Sequence, residues 1–154
     1  MLRTNGGGSI TIGAHCEIHD FAMILTYGGH ITIGDHCSLN PYSIIYGHGG
    51  TRIGNGVRIA AHCVIIPANH RRDARGAGRL AGMEARGITI GDDVWIASGC
   101  QILDGVSIGS HATIGAGSVV TRPIPEHVTA VGAPARPLAD SRCSEEVAAD
   151  VRQG

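Results

Sequence analysis

Residues 88–120 decide the fold, and they read ITIGDDVWIASGCQILDGVSIGSHATIGAGSVV. From Ile90 to Val120 an aliphatic side chain recurs at every sixth position. An amphipathic helix would repeat at i, i+3, i+4 and i+7, and a lone strand would alternate with period two. A six-residue period is typical of a parallel β-helix, in which three short strands and their turns close one triangular coil.

The same repeat extends towards the N-terminus. The aliphatic positions form five sets of three, which predict an all-β fold of about five coils: Ile12, Ile18, Ile24; Ile33, Leu39, Ile45; Ile53, Ile59, Ile65; Ile90, Ile96, Ile102; Ile108, Ile114, Val120. Every irregular step follows the third member of a set, so all three insertions should leave from one corner of the prism. They lie around Gly28, at residues 47–50, and in a long loop over residues 67–87. The shared corner supports this register and marks a place for a site.

Composition narrows the class of protein. A length of 154 residues fits one domain, and a formal net charge of −1 argues against non-specific nucleic-acid binding. Aromatic residues make up 3% and glycines number 24, which suits a thin solenoid filled by isoleucine. No apolar run approaches the roughly 18 residues of a membrane span, and the N-terminus lacks the apolar stretch of a signal peptide. We therefore expect a cytoplasmic protein with neither nucleic acid nor membrane as partner.

A second column of smaller residues stands four positions after each aliphatic one. It holds four of the five cysteines: Cys16, Cys37, Cys63 and Cys100. Because no C-x-x-C pair occurs, we interpret these cysteines as small apolar fillers rather than as disulfide partners or metal ligands.

The repeat is expected to end at Val120. The proline-rich segment 121–138 should then cross the last coil as an extended chain. The domain prediction is a β-helix over residues 9–138, with the long loop at 67–87, followed by a short C-terminal tail at 139–154 that either forms a helix or stays disordered.

Several ordered motifs resemble the hexapeptide-repeat acetyltransferases. They are PANH at 67–70, DDVWI at 92–96, IGAGSVVT at 114–121 and VGAPAR at 131–136. The likeness covers about residues 9–138 and is greatest to the maltose, galactoside, nodulation-factor and polysaccharide O-acetyltransferases. It implies a left-handed coil, a homotrimer with sites between neighbouring prisms, acetyl-CoA as donor and a sugar hydroxyl as acceptor, with no metal required.

Nine histidines are candidates for the base that such a transfer needs. His15, His36, His62 and His111 each fall three residues after an aliphatic position, so we expect them at solvated turns. His70 instead stands at the mouth of the longest insertion. By position alone it would be an exposed loop residue, whereas the resemblance implies that it is the catalytic base in a direct transfer without an acyl-enzyme.

The resemblance also implies roles for other residues. The backbone N–H near Ser98 would face the oxyanion, and coenzyme would contact Trp95, Ala97, Ala116, Thr121, Arg122 and Arg136. Asn40 would bind the acceptor, and His48 lies in an insertion from which it can reach the same cleft. Each has a plainer alternative: a turn residue for Asn40 and Ser98, trimer packing for Trp95, and a solvated charge for each arginine.

The loop HRRDARGAGRLAGMEARG at 70–87 has five arginines and favours a mobile lid that steers an anionic coenzyme or an acidic sugar.

An extra N-terminal helical segment of the maltose and galactoside branch is not seen in this sequence, which leaves the acceptor open. Xenobiotic O-acetylation and amino-sugar N-acetylation remain alternative functions. A γ-class carbonic anhydrase would need two histidines with four residues between them, whereas only three residues lie between His15 and His19. A non-enzymatic scaffold is the plainest alternative.

Overall fold

The computed structural model describes residues 1–72 and 80–138. Twenty short strands occupy this part of the chain: β1 (Leu2–Arg3), β2 (Ser9–Ile12), β3 (Glu17–Ile18), β4 (Met23–Leu25), β5 (His30–Ile33), β6 (Ser38–Leu39), β7 (Ile44–Tyr46), β8 (Thr51–Ile53), β9 (Arg58–Ile59), β10 (Val64–Ile66), β11 (Asn69–Arg72), β12 (Leu80–Glu84), β13 (Ile88–Ile90), β14 (Trp95–Ile96), β15 (Gln101–Leu103), β16 (Ser107–Ile108), β17 (Thr113–Ile114), β18 (Val119–Val120), β19 (Thr129–Val131) and β20 (Arg136–Pro137).

Eighteen of these strands form three sheets that are the faces of a prism, and β11 and β12 pair with each other in a separate hairpin. Sheet 1 contains β2, β5, β8, β13 and β16; sheet 2 contains β3, β6, β9, β14, β17, β19 and β20; sheet 3 contains β1, β4, β7, β10, β15 and β18. Successive coils pair in parallel, as Ile53 with Ile90 in sheet 1 and Ile65 with Ile102 in sheet 3. The prediction that the aliphatic positions stack in threes is confirmed, and the fold is a left-handed parallel β-helix of about five turns.

The aliphatic column fills the axis of the prism. Ile65, Ile96, Ile102 and Ile114 are fully buried, whereas Ile12 and Ile18, in the first coil, are only partly buried. Pairing at ~4.8 Å between strands lets each isoleucine pack on the one in the next coil. The core is therefore continuous along the prism, as the period predicts.

The small column lies inside as well, and its four cysteines are free thiols. Each thiol donates to a backbone carbonyl of the next coil, for example Cys37 Sγ to Gly54 O at 3.1 Å and Cys100 Sγ to Gly115 O at 3.1 Å. Burial raises the pKa of the Cys37 thiol. The interpretation of these residues as small apolar fillers agrees with this packing, while Cys143 lies outside the described residues.

We call the edges between the sheets corner 1–2, corner 2–3 and corner 3–1. At corner 1–2, side-chain oxygens cap the backbone of the preceding coil: Asp35 Oδ1 accepts from Ala14 N at 2.7 Å, and Asn55 Oδ1 accepts from Asp35 N at 2.9 Å. His36 and His111 at this corner have φ of 57° and 60° and are exposed. Their predicted place at solvated turns is confirmed, as it is for His15 at the same corner and His62 at corner 2–3.

Two features at the ends differ from the expectation. Strand β1 pairs Leu2 with Ile24, so the parallel stack begins before Ser9. The repeat also continues past Val120, because Ile124 bridges Ile108 in parallel and Ala130 pairs with Ile114. Prolines shorten the step from Val120 to Ile124 to four residues, after which the six-residue step returns at Ala130. The predicted tail at 139–154 lies outside the described residues.

In residues 1–72 and 80–138 no helix is long and apolar enough to cross a membrane.

Candidate functional site

All three insertions leave from corner 3–1, as predicted: they join β4 to β5, β7 to β8, and β10 to β13. They carry Tyr27, His48 and His70 in successive coils. The base of the longest insertion is an antiparallel hairpin of β11 and β12, in which His70 lies opposite Met83. The predicted mobile lid over 70–87 is thus a paired hairpin at its base, and its residues 73–79 lie outside the described part.

His70 is exposed on strand β11. Its neighbour Asn69 lies opposite Glu84, and Arg71 Nε is 3.5 Å from Glu84 Oε1. The hairpin therefore holds the backbone on both sides of His70 while leaving the imidazole open to a ligand.

His48 lies one coil below His70 and is partly buried. Its ring stacks on Tyr27 with centroids 4.7 Å apart and 9° between planes, and Tyr46 meets it edge-on at 5.8 Å. Burial lowers the pKa of His48, and the charge of the nearby His70 lowers it further. Both histidines belong to insertions that leave the prism at this corner, in successive coils.

The carboxylate of Asp104 anchors the return of the long loop. Its side chain is fully buried, and Oδ1 accepts from Arg86 N at 2.7 Å and from Gly87 N at 3.0 Å. Gly87 has φ of +90°, and a Cβ there would lie 2.7 Å from Gly49 O. The loop thus packs against the shorter insertion at a point where only glycine fits.

Several of the other candidate residues lie elsewhere on the prism, whereas Thr121 and Arg122 follow β18 at corner 3–1. Asn40, Ala97, Ser98 and Ala116 occupy corner 2–3. Asn40 Nδ2 donates to Ile59 O at 2.9 Å, which is the turn role considered from the sequence. Ser98 is exposed, and its backbone N–H donates to no acceptor in residues 1–72 and 80–138. Within one copy of the chain, this corner is separated from His70 by the width of sheet 3.

Trp95 points outward from sheet 2 between Arg58 and Thr113 and is 54% exposed, in agreement with its predicted direction. Thr121, Arg122 and Arg136 are also exposed. The guanidinium of Arg136 donates to the neighbouring Ala135 O at 2.9 Å. These side chains are accessible to a ligand or to another copy.

A groove of about 450 Å³ lies on sheet 1, beside His48 and His70 rather than between them. It is lined by residues that include Thr32, Arg52, Thr89 and Ser107 on the sheet and Gly49 and Arg86 at its edge. A side of the prism that carries both an open groove and two guanidinium groups therefore lies next to corner 3–1.

Sequence reasoning missed Tyr27, Tyr46 and Asp104. The rarity of aromatic residues could have drawn attention to Tyr27 and Tyr46, because the chain has only three tyrosines and one phenylalanine. Its core is aliphatic and needs no aromatic side chain. No group of three or more His, Cys, Asp or Glu side chains in residues 1–72 and 80–138 is arranged to hold a metal ion.

Comparison with known proteins gives the class of this fold and site. Residues 87–122 match the family model described as bacterial transferase hexapeptide (six repeats). A putative acetyltransferase of Saccharomyces cerevisiae is 47% identical over 85 residues, which cover 54% of this chain and 42% of that protein. The chain spans about two fifths of the length of this curated relative.

Two crystal structures extend the likeness to most of the chain. A hexapeptide-repeat-containing acetyltransferase of Vibrio cholerae has a TM-score of 0.77 and 29% identity, over 84% of this chain and 73% of that one. A maltose O-acetyltransferase of Clostridium difficile 630 has a TM-score of 0.70 and 31% identity, over 84% of this chain and 68% of that one. The chain belongs to the hexapeptide-repeat acetyltransferase family.

Proposed function

We propose that this protein is an acetyl-CoA-dependent O-acetyltransferase that acts on the hydroxyl of a sugar or of a polysaccharide precursor. The observation that carries the proposal is the exposed imidazole of His70, held by a hairpin at the corner that bears every insertion, one coil from the partly buried His48. The likeness to a maltose O-acetyltransferase supports a sugar acceptor. The free thiols of Cys37, Cys63 and Cys100 fit a reducing compartment and support a cytoplasmic location.

In the proposed reaction His70 accepts the proton of the acceptor hydroxyl as its oxygen attacks the acetyl carbonyl. Imidazole suits this task because its reference pKa is about 6.5. The new C–O bond forms a tetrahedral oxyanion, to which the N–H of Ser98 donates. The C–S bond then breaks, and protonated His70 returns the proton to the thiolate of coenzyme A. No acyl-enzyme is needed.

His70 and Ser98 lie at different corners of one prism, so the proposed site needs a second copy. Sheet 3 separates these two corners, and apart from the exposed Gln101 its outward side chains over β4, β7, β10, β15 and β18 are mostly apolar: Met23, Ile44, Tyr46, Val64, Ile66, Leu103 and Val119. The outward side chains of sheet 1 are polar, among them Thr11, Thr32, Thr89 and Ser107. A homotrimer that buries sheet 3 would bring corner 3–1 of one copy to corner 2–3 of the next.

The remaining predicted contacts are assigned to this cleft between copies. Ala97 and Ala116 would let the pantetheine arm pass close to the backbone, and Trp95 would line its wall. Thr121, Arg122 and Arg136 would meet the nucleotide end, where guanidinium groups suit phosphate. Asn40 and His48 would contact the acceptor from opposite sides of the cleft.

The test is acetyl-CoA thiol release measured against a panel of sugars, amino sugars and chloramphenicol-type alcohols. We expect transfer to a sugar hydroxyl, and a loss of about 10²-fold or more in kcat for His70→Ala, since general base catalysis contributes on this order. His36→Ala, at the exposed corner 1–2, is the matched control and should keep full activity. Undiminished turnover in His70→Ala would rule out the proposed base, and transfer to amines alone would assign N-acetylation instead.

A further inference from the structure

One polar atom in the candidate site has no partner. His48 Nδ1 is buried and makes no hydrogen bond among the described residues. A protonated Nδ1 would leave a donor without an acceptor in a place that water does not reach, which is more costly than leaving a lone pair there. The environment of Nδ1 therefore favours the tautomer that carries its hydrogen on Nε2.

The ring is also held in place. Tyr27 covers one face at 4.7 Å, and Tyr46 contacts the edge at 5.8 Å. Tyr27 and Tyr46 contact each other at 5.4 Å, so the three rings form one cluster. A ring packed in this way cannot turn to bring Nδ1 to solvent without breaking the stack.

The charged form of His48 is disfavoured as well. It would place a second N–H at the buried Nδ1, and it would stand beside His70, which takes up a positive charge during the proposed reaction. Burial and this neighbour act in the same direction on the ring. His48 is thus a poor second base, because it resists the proton that a base must accept.

We propose that His48 is a neutral hydrogen-bond donor, which offers Nε2–H to an oxygen of the acceptor beside the hydroxyl that His70 deprotonates. The inference rests on the proposed function and deepens it, since it makes His48 a specificity-determining residue. A fixed neutral N–H favours an acceptor with a second oxygen near the reacting one, as in the neighbouring hydroxyls of a sugar. It disfavours a protonated amine at that position, which has no lone pair to accept the bond.

Three variants separate this role from packing. Phenylalanine keeps the stack on Tyr27 and removes both nitrogens. Glutamine can place an amide N–H near the position of Nε2, and asparagine is too short to do so. With the sugar acceptor that the panel identifies, we expect His48→Phe and His48→Asn to lose about tenfold or more in kcat/KM for the acceptor, from an unpaired acceptor group.

In the same experiment His48→Gln should stay within about threefold of the native protein, and KM for acetyl-CoA should be unchanged in all three variants. His48→Phe should melt at the same temperature or higher, because the orphan nitrogen is gone. A purely structural histidine predicts full activity in His48→Phe, and that result would overturn the proposal. Equal losses in the glutamine and phenylalanine variants would also overturn it.

The tautomer is measurable without any acceptor. Long-range ¹H–¹⁵N spectra of ¹⁵N-histidine-labelled protein, with the His48 signals assigned by their loss in His48→Gln, should show a bare Nδ1 and a protonated Nε2 at pH 6. A protonated Nδ1 would contradict the inference.

If His70→Ala is inactive while His48→Phe is fully active, only the role of His48 fails. If no member of the panel is acetylated, the proposed function fails, and the spectrum still decides the state of His48.

Discussion

At the residue scale, the backbone at Ser98 matters more than its side chain. Ser98 occupies the second position of a four-residue turn at corner 2–3, and the same position is filled by Pro41, Ala61 and Ala116 in other coils. The amides at Ala61 and Ala116 also donate to no backbone carbonyl among the described residues. A free N–H is therefore a property of this turn, and only its place beside a bound thioester would make it catalytic.

Ser98→Pro deletes that N–H without removing a backbone hydrogen bond. The turn accepts proline, since Pro41 holds the equivalent position two coils below. We expect a folded protein in which kcat falls by about 10²-fold to 10³-fold, the usual effect of losing one oxyanion donor. Steady-state thiol release measures it, with Ala61→Pro as the matched control that should stay active. Full activity in Ser98→Pro would remove this amide from the mechanism.

At the scale of elements, the hairpin that bears His70 depends on one buried carboxylate. Where the long loop re-enters the coil, the amides of Arg86 and Gly87 donate to Oδ1 of Asp104 instead of to backbone carbonyls. Its contact with the Arg86 guanidinium, 3.4 Å long, adds little, because that side chain is 70% exposed.

Asp104→Ala should therefore lower the free energy of unfolding by about 1–3 kcal/mol, since it leaves two amides unpaired. Asp104→Asn keeps an oxygen for both amides and should lie much closer to the native protein. Urea unfolding of the two variants measures the difference. Equal stabilities for the alanine and native proteins would show that water or another group satisfies the two amides.

The repeat made the strands predictable but not the ends of the prism. Each six-residue unit places one aliphatic residue inward, so Ile90 to Val120 could be assigned from spacing alone. Strand β1 has only two residues, so it shows no repeat in the sequence. Prolines interrupt the six-residue spacing around Ile124 and Ala130, so the repeat is not evident there. The conformation of these end segments is determined by pairing with an existing sheet edge and not by a local sequence pattern.

The site was predictable only in part for a related reason. The insertions could be assigned to one corner from their spacing, and His70 was singled out there by its resemblance to a family motif. The stack of Tyr27 on His48 was not foreseen, because it depends on the path of two insertions that differ in length and follow no period. Contacts between such segments arise from three-dimensional packing.

At the scale of the whole molecule, sheet 3 differs in chemistry from sheet 1 of the prism. Sheet 3 is mostly apolar outside and is bounded by the two corners that hold the separate halves of the proposed site. The proposed ring of three copies would bury this face and pair unlike corners at each of its three interfaces. Each active site would then take its base from one copy and its oxyanion donor from the next.

Mixing two inactive variants tests this composite site most directly. His70→Ala lacks the base and Ser98→Pro lacks the oxyanion donor, so each alone should be inactive. When equal amounts are unfolded and refolded together, random assembly of trimers should restore about a quarter of the native activity, because each mixed trimer regains one intact site of three. Recovery to about this level is the expected result. A mixture as inactive as its two parents, in trimers shown to contain both variants, would contradict it.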